Sequence, residues 1–254
     1  MSVLAQLVEA IAHRHIAVID LTAPLHEGTP ILNLPEPFGN TWRFQLEEIS
    51  RYDERGPGWY WNNIRTGEHT GTHLDVPVHW ATGKDGVDVS RVPVEQLIAP
   101  AVVLDFTEQS AADHDFLLQI AHVRAWESAH GPLPRGGWLL YRTGWDARGE
   151  READFLNGGH TPGISPECAK WLAEESAIVG IGVETVGTDA GAAHSFEPAF
   201  PCHAHFLGKG KYGLTQLRRL RELPARGAVL MVAPLPIVGG SGSPCRVLAL
   251  VERG

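Results

Sequence analysis

The chain has 254 residues, 43% of them hydrophobic and 20% charged, which excludes an intrinsically disordered chain and a disulfide-stapled miniprotein and leaves room for a sizeable core. Lys and Arg number 21 against 30 Asp and Glu, for a formal net charge of −9, so the overall field repels nucleic acid and anionic membrane surfaces. Cys168, Cys202 and Cys245 are widely spaced and form no C-x-x-C pair, which suits neither a secreted disulfide framework nor a zinc knuckle and suggests a cytoplasmic protein.

Along the chain, residues 2–13 place Val3, Leu4, Leu7, Val8 and Ile11 at a helical period with Gln6 and Glu9 between them, an amphipathic helix rather than a targeting segment, suited to packing on its own domain or to a subunit contact. Strand signals follow at 16–21, 44–49, 61–66, 102–106, 138–142, 178–183, 229–233 and 247–251, most of them bounded by Gly or Pro. Residues 24–37 and 51–61 read as long excursions, and long loops in a compact domain often carry function. Helices are expected at 122–130, from Ser165, where Ser-Pro-Glu supplies an N-cap, a first-turn proline and an early acid, and at 215–220. The apolar run 228–238 is interrupted by Pro234 and Pro236 and is too short to span a membrane. Strands outnumber helices without regular alternation, which predicts an α+β architecture in a single domain over 1–254 rather than a doubly wound nucleotide fold.

The chemistry concentrates in Gly67-Glu-His69-Thr-Gly-Thr-His73-Leu-Asp75-Val-Pro-Val-His79-Trp80. The i, i+4 histidines suggest a helix, but Thr-Gly-Thr and Val-Pro-Val are poor helix formers and all four polar groups sit at odd positions, a strand period. An extended strand would hold His69 about 13 Å from His73, too far to share an ion. Gly71 is therefore expected to turn the chain and draw His69 in, and Pro77 to end regular pairing near His79. Two imidazoles and one carboxylate, His69, His73 and Asp75, form the ligand set of an open site for a divalent transition ion. Such an ion activates water and polarises a carbonyl, which supports hydrolysis of an amide or ester, with His79 as the proton carrier. The same ligand types also occur in non-haem iron oxygenases, where the last histidine usually comes from a distant strand. Gly239-Gly-Ser-Gly-Ser243 lacks the final glycine of a nucleophile elbow and reads as a turn, and Cys202 beside His203 reads as a small buried hydrophobe. Glu184 and Asp189, after an apparent central strand, could support a site or serve structural hydrogen bonds.

The segment His69 to His79 resembles the H-x-G-T-H-x-D-x-P-x-H signature of the cyclase family of metal-dependent hydrolases, which includes isatin hydrolase and bacterial kynurenine formamidase, with every fixed position matched. The resemblance runs on through Asp20-Leu-Thr-Ala-Pro-Leu25, Leu140-Tyr-Arg-Thr-Gly-Trp145, Pro162-Gly-Ile-Ser-Pro-Glu167 and Gly239 to Ala249. It implies a swivelling β/β/α fold, a homodimer or homotetramer, and His69, His73 and Asp75 as ligands of one Mn²⁺ or Zn²⁺ ion. It also implies His79 as catalytic acid/base, joined by His203 from a later segment, with His205 as the competing alignment. Formamidases carry a glutamate twelve residues after that histidine to help hold a second ion. Thr215 stands there in this chain, which points to the mononuclear isatin hydrolase branch and to hydrolytic ring opening of a cyclic amide such as isatin. Hydrolysis of an aryl formamide such as N-formylkynurenine, or of a lactone, is the alternative. Trp59 and Trp80, more than Tyr60 and Trp61, are expected to wall the pocket of a small aromatic carbonyl substrate.

Overall fold

The structure is a computed structural model that describes residues 1–149 and 151–253. Its strands are β1 Ile16–Asp20, β2 Gln45–Arg51, β3 Tyr60–Arg65, β4 His73–Asp75, β5 Ile98–Asp105, β6 Leu117–Leu118, β7 Trp138–Arg142, β8 Gly163–Ile164, β9 Gly180–Val183, β10 Tyr212–Thr215, β11 Ala228–Pro234 and β12 Gly242–Glu252. The helices are α1 Val3–Ala12, α2 Thr107–Ala112, α3 Ile120–His130, α4 Glu152–Leu156 and α5 Pro166–Glu175. Eight strands form one sheet in the order β1-β12-β11-β5-β7-β9-β10-β4, and β12 also pairs with β4. The long β12 makes this closure possible: its first residues lie against β4 (Gly242↔Asp75, Pro244↔His73) and its later ones against β1 and β11. Seven strands thus curl into a barrel-like ring, with β1 as an extra partner on β12.

Alternation along the strands divides the apolar residues into two cores. Val103, Trp138, Leu140, Leu214, Leu230 and Val247 fill the ring. Their sequence neighbours Val102, Leu104, Leu139 and Tyr141 face outward onto α3 and α5, where Val123, Trp126, Cys168 and Leu172 meet them. The parallel run β5-β7-β9-β10 lies under these helices, and the remaining ring contacts are antiparallel, so the expected α+β class and β/β/α fold hold. Helix α5 begins as its sequence dictates, with Ser165 Oγ accepting the Cys168 N–H at 3.2 Å and Pro166 in the first turn. At its other end Lys211 Nζ donates to the carbonyls of Leu172 (2.9 Å) and Ser176 (2.8 Å). Lys211→Met takes this donor from both carbonyls, leaving Leu172 O with the Ser176 hydroxyl alone, and removes the cation from the helix terminus, and is expected to cost about 1–2 kcal/mol in urea denaturation.

Two expectations are corrected, at 215–220 and at α1, and the excursion expected at 51–61 is located. Residues 215–220 are not a helix: Thr215 closes β10, and Gln216 turns the chain with φ +52° while its N–H donates to the Thr185 carbonyl at 2.9 Å. The excursion at 51–61 is the reversal of the β2–β3 hairpin, whose Leu46, Trp59, Trp61 and Ile64 are exposed. Helix α1 buries none of its residues; Val3, Leu4 and Val8 face outward rather than onto their own domain. Among the described residues no helix is long and apolar enough to cross a membrane.

Candidate metal centre

The site begins at β4, which is short but paired on both edges: His73 faces Thr215 of β10 and Pro244 of β12, and Asp75 faces Gly213 and Gly242. Pairing on both sides fixes the backbone that carries the two side chains. Ahead of β4, Gly71 adopts φ +65°, a left-handed turn that a Cβ would oppose both conformationally and by meeting Leu25 Cδ2 at 2.5 Å. Thr72 anchors this turn, its Oγ1 donating to Gln216 O and accepting from Ala23 N, each at 2.8 Å. The turn brings the His69 and His73 rings to 5.3 Å between centroids, in place of the separation an extended chain would impose. After β4, Pro77 opens the single helical turn Pro77–His79, which folds His79 back so that its ring stacks on His69 at 3.9 Å.

Asp75, 2% exposed, stands at the centre of the cluster. Its Oδ1 is 2.8 Å from His69 Nδ1 and 3.3 Å from His73 Nε2, and its Oδ2 is 3.8 Å from His203 Nε2. Burial alone would raise its pKa, but His73 and His69, when protonated, outweigh burial through the charge of His73 and the hydrogen bonds of both rings, and hold the carboxyl well below the usual range. His73 Nδ1 donates to the Gly71 carbonyl at 2.7 Å, so in the neutral ring the lone pair is on Nε2, facing Asp75. Thr215 Oγ1 is 2.9 Å from one ring nitrogen of His73 and 3.2 Å from the other; near-equal distances place the hydroxyl over the ring face.

His79 is pushed down to about 3, first by burial and then by His69, His203 and His73, with Asp75 opposing; it is a neutral imidazole at neutral pH. Burial would lower His203 as well, but the hydrogen bond and charge of Asp189, together with Asp75, raise it. Asp189 fixes the ring: Oδ1 accepts Cys202 N–H at 2.7 Å, Oδ2 accepts His203 N–H at 3.2 Å, and Oδ2 lies 2.5 Å from His203 Nδ1. His203 Nε2 is left facing Asp75. The same wide helical turn, His203–Leu207, directs His205 elsewhere, where the charges acting on it are those of Glu174, Lys170, Asp189 and Lys209. Cys202 is fully buried and its thiol is driven well above its ordinary value by burial and Asp189, the reverse of what a nucleophile needs.

The donor set suits a divalent cation. One ligand atom each from His69, Asp75 and His79 lies within 4.8 Å of the others, and His73 Nε2 adds a lone pair beside the same carboxylate oxygen. Nitrogen and oxygen ligands without thiolate, from three to four residues, leave coordination positions for water and substrate. Beside this cluster the Trp80 ring lies 4.8 Å from His203 and 5.6 Å from Phe200, an aromatic wall. Trp59, by contrast, is 52% exposed in the β2–β3 reversal. Phe200 and Ser241, whose Oγ is 2.8 Å from His69 Nε2, are additions that local spacing does not reveal. Ser241 lies 172 positions from His69, and only the β12–β4 pairing unites them.

The model of the Cyclase family matches residues 19–190. An isatin hydrolase from Roseibium aggregatum is 46% identical over 245 residues, covering 94% of this chain and 93% of its own length. A kynurenine formamidase from Salinibacter ruber is 25% identical, covering 92% and 97%. Among solved structures, an isatin hydrolase bound to the product analogue thioisatinate superposes with a TM-score of 0.96 at 43% identity, covering all of both chains.

Proposed function

The chain belongs to the Cyclase family, and from that premise we propose that it is a metal-dependent amidohydrolase that opens the lactam ring of isatin, with one Mn²⁺ or Zn²⁺ ion held by His69, His73 and Asp75. The observation that carries this reading is the convergence of His69, Asp75 and His79 within 4.8 Å, with His73 Nε2 3.3 Å from the same carboxylate, beside the aromatic wall of Trp80 and Phe200. The relatives named isatin hydrolase support the substrate class. Thr215, with its hydroxyl over the His73 ring, supplies no carboxylate for a second ion and favours the lactam over the formamide.

When bound, the divalent ion polarises the lactam carbonyl and activates water for attack. His79, neutral and stacked on His69, is placed to accept the proton of the water and return it to the departing nitrogen. The C–N bond breaks, the water oxygen remains on the carbonyl carbon as a carboxylate, and the nitrogen leaves as an aryl amine. His203, held by Asp189, presents Nε2 to the same carboxylate centre and positions the polar side of the pocket. The outward apolar stripe of α1 supports assembly as a homodimer or homotetramer.

The test is anaerobic turnover of isatin, N-formylkynurenine and a lactone by protein stripped with chelator and reloaded with Mn²⁺ or Zn²⁺, followed by mass spectrometry for addition of one water. Hydration of isatin by reloaded protein alone is the expected result. Preference for the formamide would move the assignment to a formamidase, and a requirement for oxygen would overturn hydrolysis. Asp189→Asn, which weakens the grip on His203, is expected to lower kcat for isatin about 10–100-fold in the same assay.

A further inference from the structure

We propose that Glu68 and Ser241 form a brace that locks the His69 ring with Nδ1 aimed at Asp75, and that this brace sets how tightly the centre holds its ion. The proposal rests on the metal-centre reading above and assigns a role to the glycine-rich stretch 239–243, which by sequence is only a turn. Ser241 Oγ lies 2.6 Å from Glu68 Oε2, and the same oxygen accepts the Ser241 N–H at 3.1 Å. A carboxylate oxygen only accepts, so the hydroxyl hydrogen lies on the Glu68 side. The lone pairs of Ser241 Oγ then face His69 Nε2 at 2.8 Å, and Nε2 must carry the hydrogen of that contact. In the neutral ring this leaves the lone pair on Nδ1, the atom 2.8 Å from Asp75 Oδ1. A lone pair and a carboxylate oxygen at that distance require a cation, proton or metal, between them.

Serine, histidine and aspartate in a row have the connectivity of a nucleophile triad, but here the polarity is reversed. A nucleophilic serine donates to its histidine, whereas Ser241 donates to Glu68 and accepts from His69. Ser241 is thus a positioning residue. The flanking glycines answer to the same packing: a Cβ at Gly240 would stand 3.0 Å from Glu68 Oε1, and one at Gly242 would stand 2.6 Å from His69 Cε1. Glu68 and His69 both press against this backbone, and the β12–β4 pairing holds it there. Without the brace the imidazole is free to rotate about its χ2 bond, and ordering it falls to the metal.

The experiment is a Mn²⁺ titration of full-length wild type, Ser241→Ala, Glu68→Ala and Glu68→Gln, in which the electron paramagnetic resonance signal of aqueous Mn²⁺ counts free ion. Circular dichroism of each metal-free protein confirms folding. Ser241→Ala and Glu68→Ala are expected to weaken Mn²⁺ binding about 10–100-fold. Glu68→Gln, whose amide oxygen accepts the same two hydrogen bonds, is expected to bind close to wild type. Wild-type affinity in Ser241→Ala, or an equal loss in Glu68→Ala and Glu68→Gln, overturns the brace. Wild-type protein that leaves all Mn²⁺ free overturns the metal centre itself, a result distinct from either.

Discussion

Asp75→Asn is expected to lower kcat/KM for isatin about a thousandfold, ~4 kcal/mol at the transition state, and to release the ion into a chelator that leaves the wild type loaded. The size of the effect follows from position. Asp75 is the one carboxylate that His69, His73 and His203 all approach, so its charge balances any cation those rings share. Its backbone is paired on both edges, which holds the carboxylate at that position. Asparagine preserves shape but removes the charge, so loss of the ion, rather than loss of packing, is the reading to check. Steady-state kinetics with metal analysis of the purified variant decides: a variant that keeps its ion and more than a tenth of wild-type kcat/KM removes Asp75 from the ligand set.

The local parts of this molecule were legible because local chemistry determines them. The strands at 16–21, 138–142 and 229–233 carry β-branched and aromatic residues between turn formers, and each lies within a residue or two of an observed strand. The N-cap at Ser165 follows from its hydroxyl and the proline after it. The bend at Gly71 was inferred from a distance argument, and φ +65° together with the 5.3 Å approach of the two rings meets it. The odd-position spacing of the histidine motif covers β4, but four-residue β10 carries too few positions to show a period. β4 pairs with partners more than a hundred residues away in the chain, and β10 pairs with β4 at that distance and with β9 about thirty residues before it. The helix expected at 215–220 failed for the same reason, since tertiary pairing of Thr215 with His73 outweighs the propensity of the residues after it. Ser241 and Phe200 join the candidate site through ring closure and through the packing of the loop before His203. No pattern within either segment encodes those neighbours.

Glu184→Gln is expected to stabilise the metal-free protein by about 2–3 kcal/mol at about pH 8 and to remove a pH dependence that the wild type carries below that. Glu184 follows β9, is 1% exposed, and accepts on Oε2 from Thr143 N at 2.8 Å, Trp145 N at 3.1 Å and Thr143 Oγ1 at 3.2 Å. Its Oε1 has no partner, and the side chain lines a water-sized cavity with Asp146, Gln216 and Arg218. Burial first, and the charge of Asp146 second, push its pKa up to about 7, against backbone hydrogen bonds from Thr143, Trp145 and Gly144 that lower it. The folded pKa is thus above the unfolded value of 4.5, so the folded state holds this proton longer. The stability it contributes is fully present below about pH 4.5 and is lost as pH rises through about 7. His79 works in the opposite direction: buried and neutral with a pKa of about 3, it costs stability as pH falls below its unfolded value of 6.5. That contribution is common to both proteins and cancels in their difference. Glutamine keeps an oxygen for the three donors and carries no charge, so subtracting its urea-denaturation free energies from those of the wild type between pH 4.5 and 8 isolates Glu184. A difference that grows with pH across that range is the expected result, and parallel curves would show that this carboxyl ionises in the fold as readily as in water.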